Sequence, residues 1–146
     1  MKRIMIITHG TLCEGFLSAM EIINGNCSGI DVLSLHTEET IDQMTQKLRT
    51  RIDGYDPEDT VILLTDIAIG TTTKCIYPLM EHRTIYVICG LNLPLLLSVY
   101  LSDLGEDCYA SLKLLTQESR DSILFINELL EQQKEGVETN DRSDQS

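Results

Sequence analysis

Positive charge is what this 146-residue chain most lacks: Lys and Arg together number 11 against 23 for Asp plus Glu, a formal net charge of −12. A field of that sign repels nucleic-acid phosphates and anionic membrane surfaces, so neither is an expected partner. A basic patch on another protein remains compatible with it. Long apolar runs are missing too. None approaches the roughly 20 residues of a membrane span, and Met1, Lys2 and Arg3 lead straight into a β-like segment with no small-residue cleavage site behind it. The expected location is cytoplasmic. The five cysteines, Cys13, Cys27, Cys75, Cys89 and Cys108, are odd in number and form no C-x-x-C pair. That spacing argues against a zinc site and fits reduced core thiols. No G-x-G-x-x-G follows any strand-like run, so the dinucleotide-binding fingerprint is absent as well.

What is present fits one domain. The length, with 42% hydrophobic residues, allows a core large enough to fold unaided. Four segments read as strands: residues 3–8, 30–35, 60–65 and 84–89. Three of them are near-continuous Ile, Val, Leu and Met, the pattern of strands buried on both faces. Helical patterns fill the gaps. Leu12, Phe16, Ala19, Met20 and Ile23 share one face, ended by Gly25, and Ile41, Met44, Leu48 and Ile52 share a second. Strand and helix alternate over short connections, which predicts an α/β class with a mainly parallel sheet. After Cys89 the stretch "GLNLPLLLSVYLSDLGED" gives a turn, shaped by Asn92 and Pro94, and an apolar helix. Residues 109–133 are largely helical by pattern, although 123–127 read equally well as a strand. From Lys134 onward "KEGVETNDRSDQS" is polar and lacks aromatics. The expected organisation is a domain over 1–133 and a flexible tail over 134–146.

In open α/β sheets, ligands bind outside the carboxyl ends of the strands. The first strand delivers Thr8, His9 and Gly10 to that end, and the third delivers Asp66. Thr11 and Glu14 are spaced as a capping box, which sets His9 just outside a helix N-terminus, where free N–H groups and the helix dipole favour an anion such as phosphate. Gly10 leaves room for one. A second cradle is "DIAIGTTTK", residues 66–74, where Gly70, Thr71, Thr72 and Thr73 open the next helix. A carboxylate bonded to one imidazole nitrogen fixes the tautomer and leaves the other nitrogen free as a nucleophile. If the first and third strands are neighbours, as in the flavodoxin-like order 2-1-3-4, Asp66 plays that part for His9.

Each of these residues also has a plainer role. His9 fits a strand-end histidine satisfied by nearby backbone, Asp66 a helix cap, and Gly70 with Thr71 a simple turn and N-cap. His36 and His82 read as solvated surface residues. Cys13, four residues after His9, has no third orienting group and reads as a buried thiol. The acidic "DGYDPED", residues 53–59, lacks EF-hand spacing and reads as a solvated turn.

Together and in this order, "IMIITHGTLCEGF", "VILLTDIAIGTTTK" and "GLNLPLLLSVYL" resemble the IIA component of the mannose family of the bacterial phosphoenolpyruvate-dependent sugar phosphotransferase system (PTS), over residues 3–127. The resemblance implies a flavodoxin-like three-layer fold and a homodimer in which an antiparallel edge strand is exchanged, with residues 123–127 as its candidate. It implies that His9 accepts a phosphoryl group from HPr and passes it to a IIB component, that Asp66 hydrogen-bonds His9, and that no metal or other cofactor takes part. Gly10, Gly70, Thr71 and Thr72 are the expected phosphate-binding residues. IIB is expected as a separate protein, with the IIC and IID membrane components engaged only indirectly. The third-strand loop departs from the family pattern D-x-x-G-G-[ST]-P: Ile69 replaces the first glycine and Thr72 the proline. A degenerate or regulatory relative that docks PTS partners but transfers slowly is therefore an alternative. A receiver-like protein with Asp66 as acceptor is another, although the acidic pair of receivers is replaced here by Thr8, His9 and Gly10.

Overall fold

The first strand, β1 (Lys2–His9), lies between β2 (Ile30–Leu35) and β3 (Thr60–Thr65), and β4 (Ile85–Cys89) closes the other edge, giving a parallel sheet of order β2-β1-β3-β4. The computed structural model describes residues 1–68, 70–81 and 84–143, with 135–143 as backbone alone. Ile69, His82 and the last three residues of the expected tail lie outside the described residues. Six helices complete the described chain: α1 (Leu12–Asn24), α2 (Ile41–Asp53), α3 (Thr71–Met80), α4 (Leu93–Leu101), α5 (Cys108–Arg120) and α6 (Ile126–Ser143).

The period of two along the inner strands sorts the core into two layers. Ile4, Ile6, Ile62 and Leu64 pack toward α1, α4 and α5 with Cys13, Met20, Leu96, Val99 and Leu112. Met5, Ile7, Val61 and Leu63 pack toward α2 and α3 with Met44, Leu48, Ile52, Cys75, Ile76 and Leu79. All eight of these strand residues are buried, which is why β1 and β3 read as continuous apolar runs. The expected flavodoxin-like, three-layer α/β fold with order 2-1-3-4 is the fold observed.

Two expectations are corrected. The inward face of α1 carries Cys13 and Met20, with Phe16 and Leu17 beside them, while Leu12 and Ile23 are half exposed. The turn at Gly10 fixes where the helix begins, and the Cys13 N–H, tied to Thr8 Oγ1 at 2.8 Å, turns that side of the helix to the sheet. Thr11 accordingly makes no side-chain cap, so the expected box with Glu14 does not form. Within one chain, residues 123–125 lie in no regular element and 126–127 open α6. No antiparallel strand is present among the described residues. The backbone of α6 is helical from Ile126 to Ser143.

The amino edge of the sheet is held by charge. Asp59, expected in a solvated turn, is instead buried, and its carboxylate accepts from the Met1 ammonium at 2.6 Å and from Arg3 Nε at 2.8 Å. The Arg3 guanidinium lies 5.6 Å from the Tyr55 ring centre, and the Tyr55 hydroxyl donates to Asp31. The amino terminus first, and Arg3 second, hold the Asp59 carboxyl down from 3.8 to about 2. A carboxyl depressed by folding stabilises the native state above its ordinary value and loses that contribution as pH falls through the depressed one. Asp59→Asn should therefore melt below the wild type at neutral pH, with the difference shrinking as pH falls from 3.8 toward about 2. Thermal unfolding of both proteins across that range checks it; a difference that stays constant with pH would contradict it.

Candidate functional site

Parallel pairing sets Ile7 opposite Thr65 and His9 opposite Leu35, so the chain leaves β1, β2 and β3 at one level of the sheet. His9 and Asp66 meet there. His9 Nδ1–H donates to Asp66 Oδ2 at 2.8 Å, and the His9 backbone N–H donates to the same oxygen at 2.9 Å. The Ile67 N–H donates to Oδ1 at 2.8 Å. Burial raises the Asp66 carboxyl, but the bonds from the His9 backbone and ring and from Ile67 outweigh it, and its pKa falls below the ordinary value. A carboxylate can only accept, so the ring proton belongs on Nδ1 and the lone pair on Nε2. The imidazole is 48% exposed and the carboxylate 13%. The pair thus presents one imidazole nitrogen to solvent and keeps its counter-charge within the fold.

The turn behind His9 is set by backbone geometry. Gly10 adopts φ 57° and donates its N–H to Leu35 O at 2.9 Å. A Cβ there would meet nothing within 4 Å, so glycine is needed for the left-handed backbone rather than for clearance. Thr8 is buried and takes the role expected of Thr11, accepting the Cys13 N–H at the start of α1. Cys13 is fully buried with its Sγ 3.3 Å from Ser34 Oγ.

His9, Gly10 and Thr71 line one cleft of about 630 Å³ with His36, Glu38 and Glu39. A wider groove of about 1020 Å³ along β2 and α2 shares His36, Glu38 and Glu39 but does not include His9. Of the second cradle, Gly70 is the α3 N-cap, at φ 141°. Thr72, expected as a phosphate donor, is 1% exposed, and its hydroxyl has no partner among the described residues. Successive helical positions are about 100° apart, so Thr71 faces the cleft while Thr72 packs inside. Thr73 Oγ1 donates back to Gly70 O at 3.1 Å. One of the three threonines therefore reaches the cleft.

Asn92 acts as a clamp away from His9. Its Oδ1 accepts from Leu95 N–H at 2.9 Å and from Ser119 Oγ at 2.7 Å, joining the start of α4 to α5, and Pro94 follows in the first turn. His36, read from sequence as a solvated surface residue, is exposed and also borders the His9 cleft. The strand order carried that signal, since the residue after Leu35 must lie beside the end of β1. Among the described residues no group of three or more His, Cys, Asp or Glu is gathered to hold a metal ion, and no helix is long and apolar enough to cross a membrane.

Solved structures share this architecture. A PTS component EIIA from Streptococcus agalactiae is 23% identical, with a TM-score of 0.77 over 88% of this chain and 99% of its own. The mannose/sorbose-specific IIA subunit from Enterococcus faecalis is 22% identical, with a TM-score of 0.74 over 86% and 95%. A PTS IIA protein associated with the fucose utilization operon of Streptococcus pneumoniae is 21% identical, at 0.74 over 88% and 96%. At those identities the likeness shows the fold. The sequence decides the family: residues 3–115 match EIIA-man, described as the PTS system fructose IIA component, and the chain belongs to this mannose-type IIA family of the sugar phosphotransferase system.

Proposed function

We propose that this PTS component is a phosphoryl carrier, taking the group from phospho-HPr on His9 Nε2 and passing it to a separate IIB protein during sugar uptake in the cytoplasm. The observation that carries the reading is the His9–Asp66 bond, which commits Nδ1 and leaves Nε2 open on an accessible cleft. In the transfer, the Nε2 lone pair forms an N–P bond as the N–P bond on HPr breaks, and the released electron pair returns to the HPr imidazole. The proton on Nδ1 stays in the bond to Asp66, whose charge stabilises the positive ring. Such chemistry needs positioning and charge stabilisation more than covalent machinery. The amino end of α3, with the Gly70 backbone and the Thr71 hydroxyl, and the Gly10 turn before α1 supply neutral polarity toward the phosphoryl oxygens.

A second reading is a docking relative that binds HPr or IIB and transfers slowly. It is favoured by the withdrawal of Thr72 into the interior, which leaves the cleft with fewer donors. Turnover separates the two. With phosphoenolpyruvate, enzyme I and HPr, intact mass should show one phosphoryl group, mapped to His9, lost in acid and absent in His9→Ala. Asp66→Ala should slow transfer about tenfold to a hundredfold, in line with the roughly 1.5–3 kcal/mol of a charge-assisted hydrogen bond. Failure to label, with partners active on a control IIA, would leave the docking reading. An acid-stable adduct on Asp66 would make the protein receiver-like instead.

The reading extends to a homodimer. The outer edge of β4 is open within one chain, and a cleft of about 470 Å³ beside it is lined by Met80, Tyr86, Val87, Tyr109 and Lys113. Ile123, Leu124, Phe125 and Ile126 are all more than half exposed. Pairing residues 123–127 of each chain with β4 of the other would cover both surfaces and close an edge that otherwise invites association. Light scattering should give a dimer for the wild type and a monomer for Phe125→Asp. A monomeric wild type would count against the exchange.

A further inference from the structure

The cleft that holds His9 has no lysine or arginine among its described lining residues. Its other ionisable members are His36, Glu38 and Glu39. A phosphoryl group on His9 adds negative charge to a wall that bears Glu38 and the Lys47-paired Glu39, and like charges repel. Among the described lining residues, His36 is the other side chain of a type able to turn positive near neutral pH. The fold puts it there. Leu35 pairs with His9 and accepts the Gly10 N–H at 2.9 Å, so His36 leaves β2 beside the turn that follows His9, in a strand pair about 4.8 Å apart. The His36 backbone N–H donates to Glu39 Oε2 at 3.2 Å, which anchors the loop and leaves the imidazole exposed.

We propose that His36 is a positioning residue for the phosphorylated state: its imidazole takes up a proton when His9 carries a phosphoryl group, and the cation offsets that charge across the cleft. This rests on the carrier reading above. The charged and titratable groups around His36 come from each neighbouring element. Its own loop gives Glu38 and Glu39, the strand ends give the His9–Asp66 pair, α1 gives Glu14, and α2 gives Lys47 and Arg51. Lys47 is paired with Glu39, and that bond holds the Glu39 carboxyl below its ordinary value. Glu14 and Arg51 border the adjoining groove with opposite charges, and α3 contributes the uncharged Thr71. His36 is therefore the group placed to answer a change of charge on His9.

Coupling of this kind is reciprocal: if phosphorylation favours the proton, the proton favours phosphorylation. The His36 midpoint rises on phosphorylation, so the added stabilisation is complete below the lower midpoint and lost as pH climbs through the higher one. Across a solvated, screened cleft the effect is about threefold in the phosphorylation equilibrium.

The test follows the imidazole signals of the full chain by NMR from about pH 5.5 to 8.5, with and without continuous supply of phospho-HPr, while intact mass reports occupancy of His9. In parallel, the equilibrium with phospho-HPr is measured at about pH 6 and about pH 8 for the wild type, His36→Asn and His36→Arg. The proposal expects the His36 midpoint to rise on phosphorylation. His36→Asn should lose about threefold of the pH dependence, and His36→Arg should lose the same dependence while keeping the equilibrium favourable at the higher pH. A phosphorylated His9 with an unmoved His36 midpoint, and a His36→Asn equilibrium that tracks the wild type at both pH values, would overturn it. No phosphoryl group on His9 at all would instead remove the carrier reading, and this inference with it.

Discussion

The hydrogen bond between His9 Nδ1 and Asp66 Oδ2 is the contact on which the site depends, and the pairing of β1 with β3 is what makes it possible. Residues 57 positions apart in sequence meet because two parallel strands end at the same level. Both strands are held in the middle of the sheet by side chains buried on both faces. A slip of one residue in either strand would turn its apolar set to the wrong layer, so the register that preserves the core also delivers the imidazole to the carboxylate. Core and site are specified by the same pattern.

Charge is arranged around that contact in two tiers. At the amino edge of the sheet, Asp59 is surrounded by cations from Met1 and Arg3 and serves the fold. At the carboxyl edge, Asp66 is matched to the His9 imidazole, and its remaining oxygen is occupied by the Ile67 N–H. The acidic surface of the chain is compatible with a partner that presents a basic patch, and a half-exposed ring in an open cleft suits a partner that must bring a reactive group to it.

Much of this was legible in the residues. The continuous runs at 3–8 and 60–65 marked strands buried on both faces, while the order 2-1-3-4 came with the family resemblance, since alternation of elements predicts a parallel sheet without fixing which strands are neighbours. His9 and Asp66 could then be named as neighbours. What escaped was set by contacts rather than by pattern. Thr11 and Glu14 have the spacing of a capping box, but the buried Thr8 hydroxyl reaches the Cys13 N–H from inside the fold. The box that does form, Thr40 with Gln43 at the start of α2, was visible as T-x-x-Q and went unread. Thr71 and Thr72 look equivalent in sequence, and only the phase of α3 separates the one in the cleft from the one in the interior. The place of His36 beside the site was not visible because its neighbours there are on another strand. Residues 123–127 were ambiguous because an apolar run seeking a partner chain and one opening a helix share a composition.

Since everything at the site follows from which nitrogen Asp66 holds, the most direct measurement is the tautomer of His9 in the unphosphorylated protein, read from its imidazole nitrogen-15 shifts and couplings above the ring's titration. The account predicts a proton on Nδ1 and a bare Nε2. A ring with its proton on Nε2 and a bare Nδ1 would contradict it, because Asp66 would then face a lone pair and the nitrogen exposed to the cleft would have none to offer.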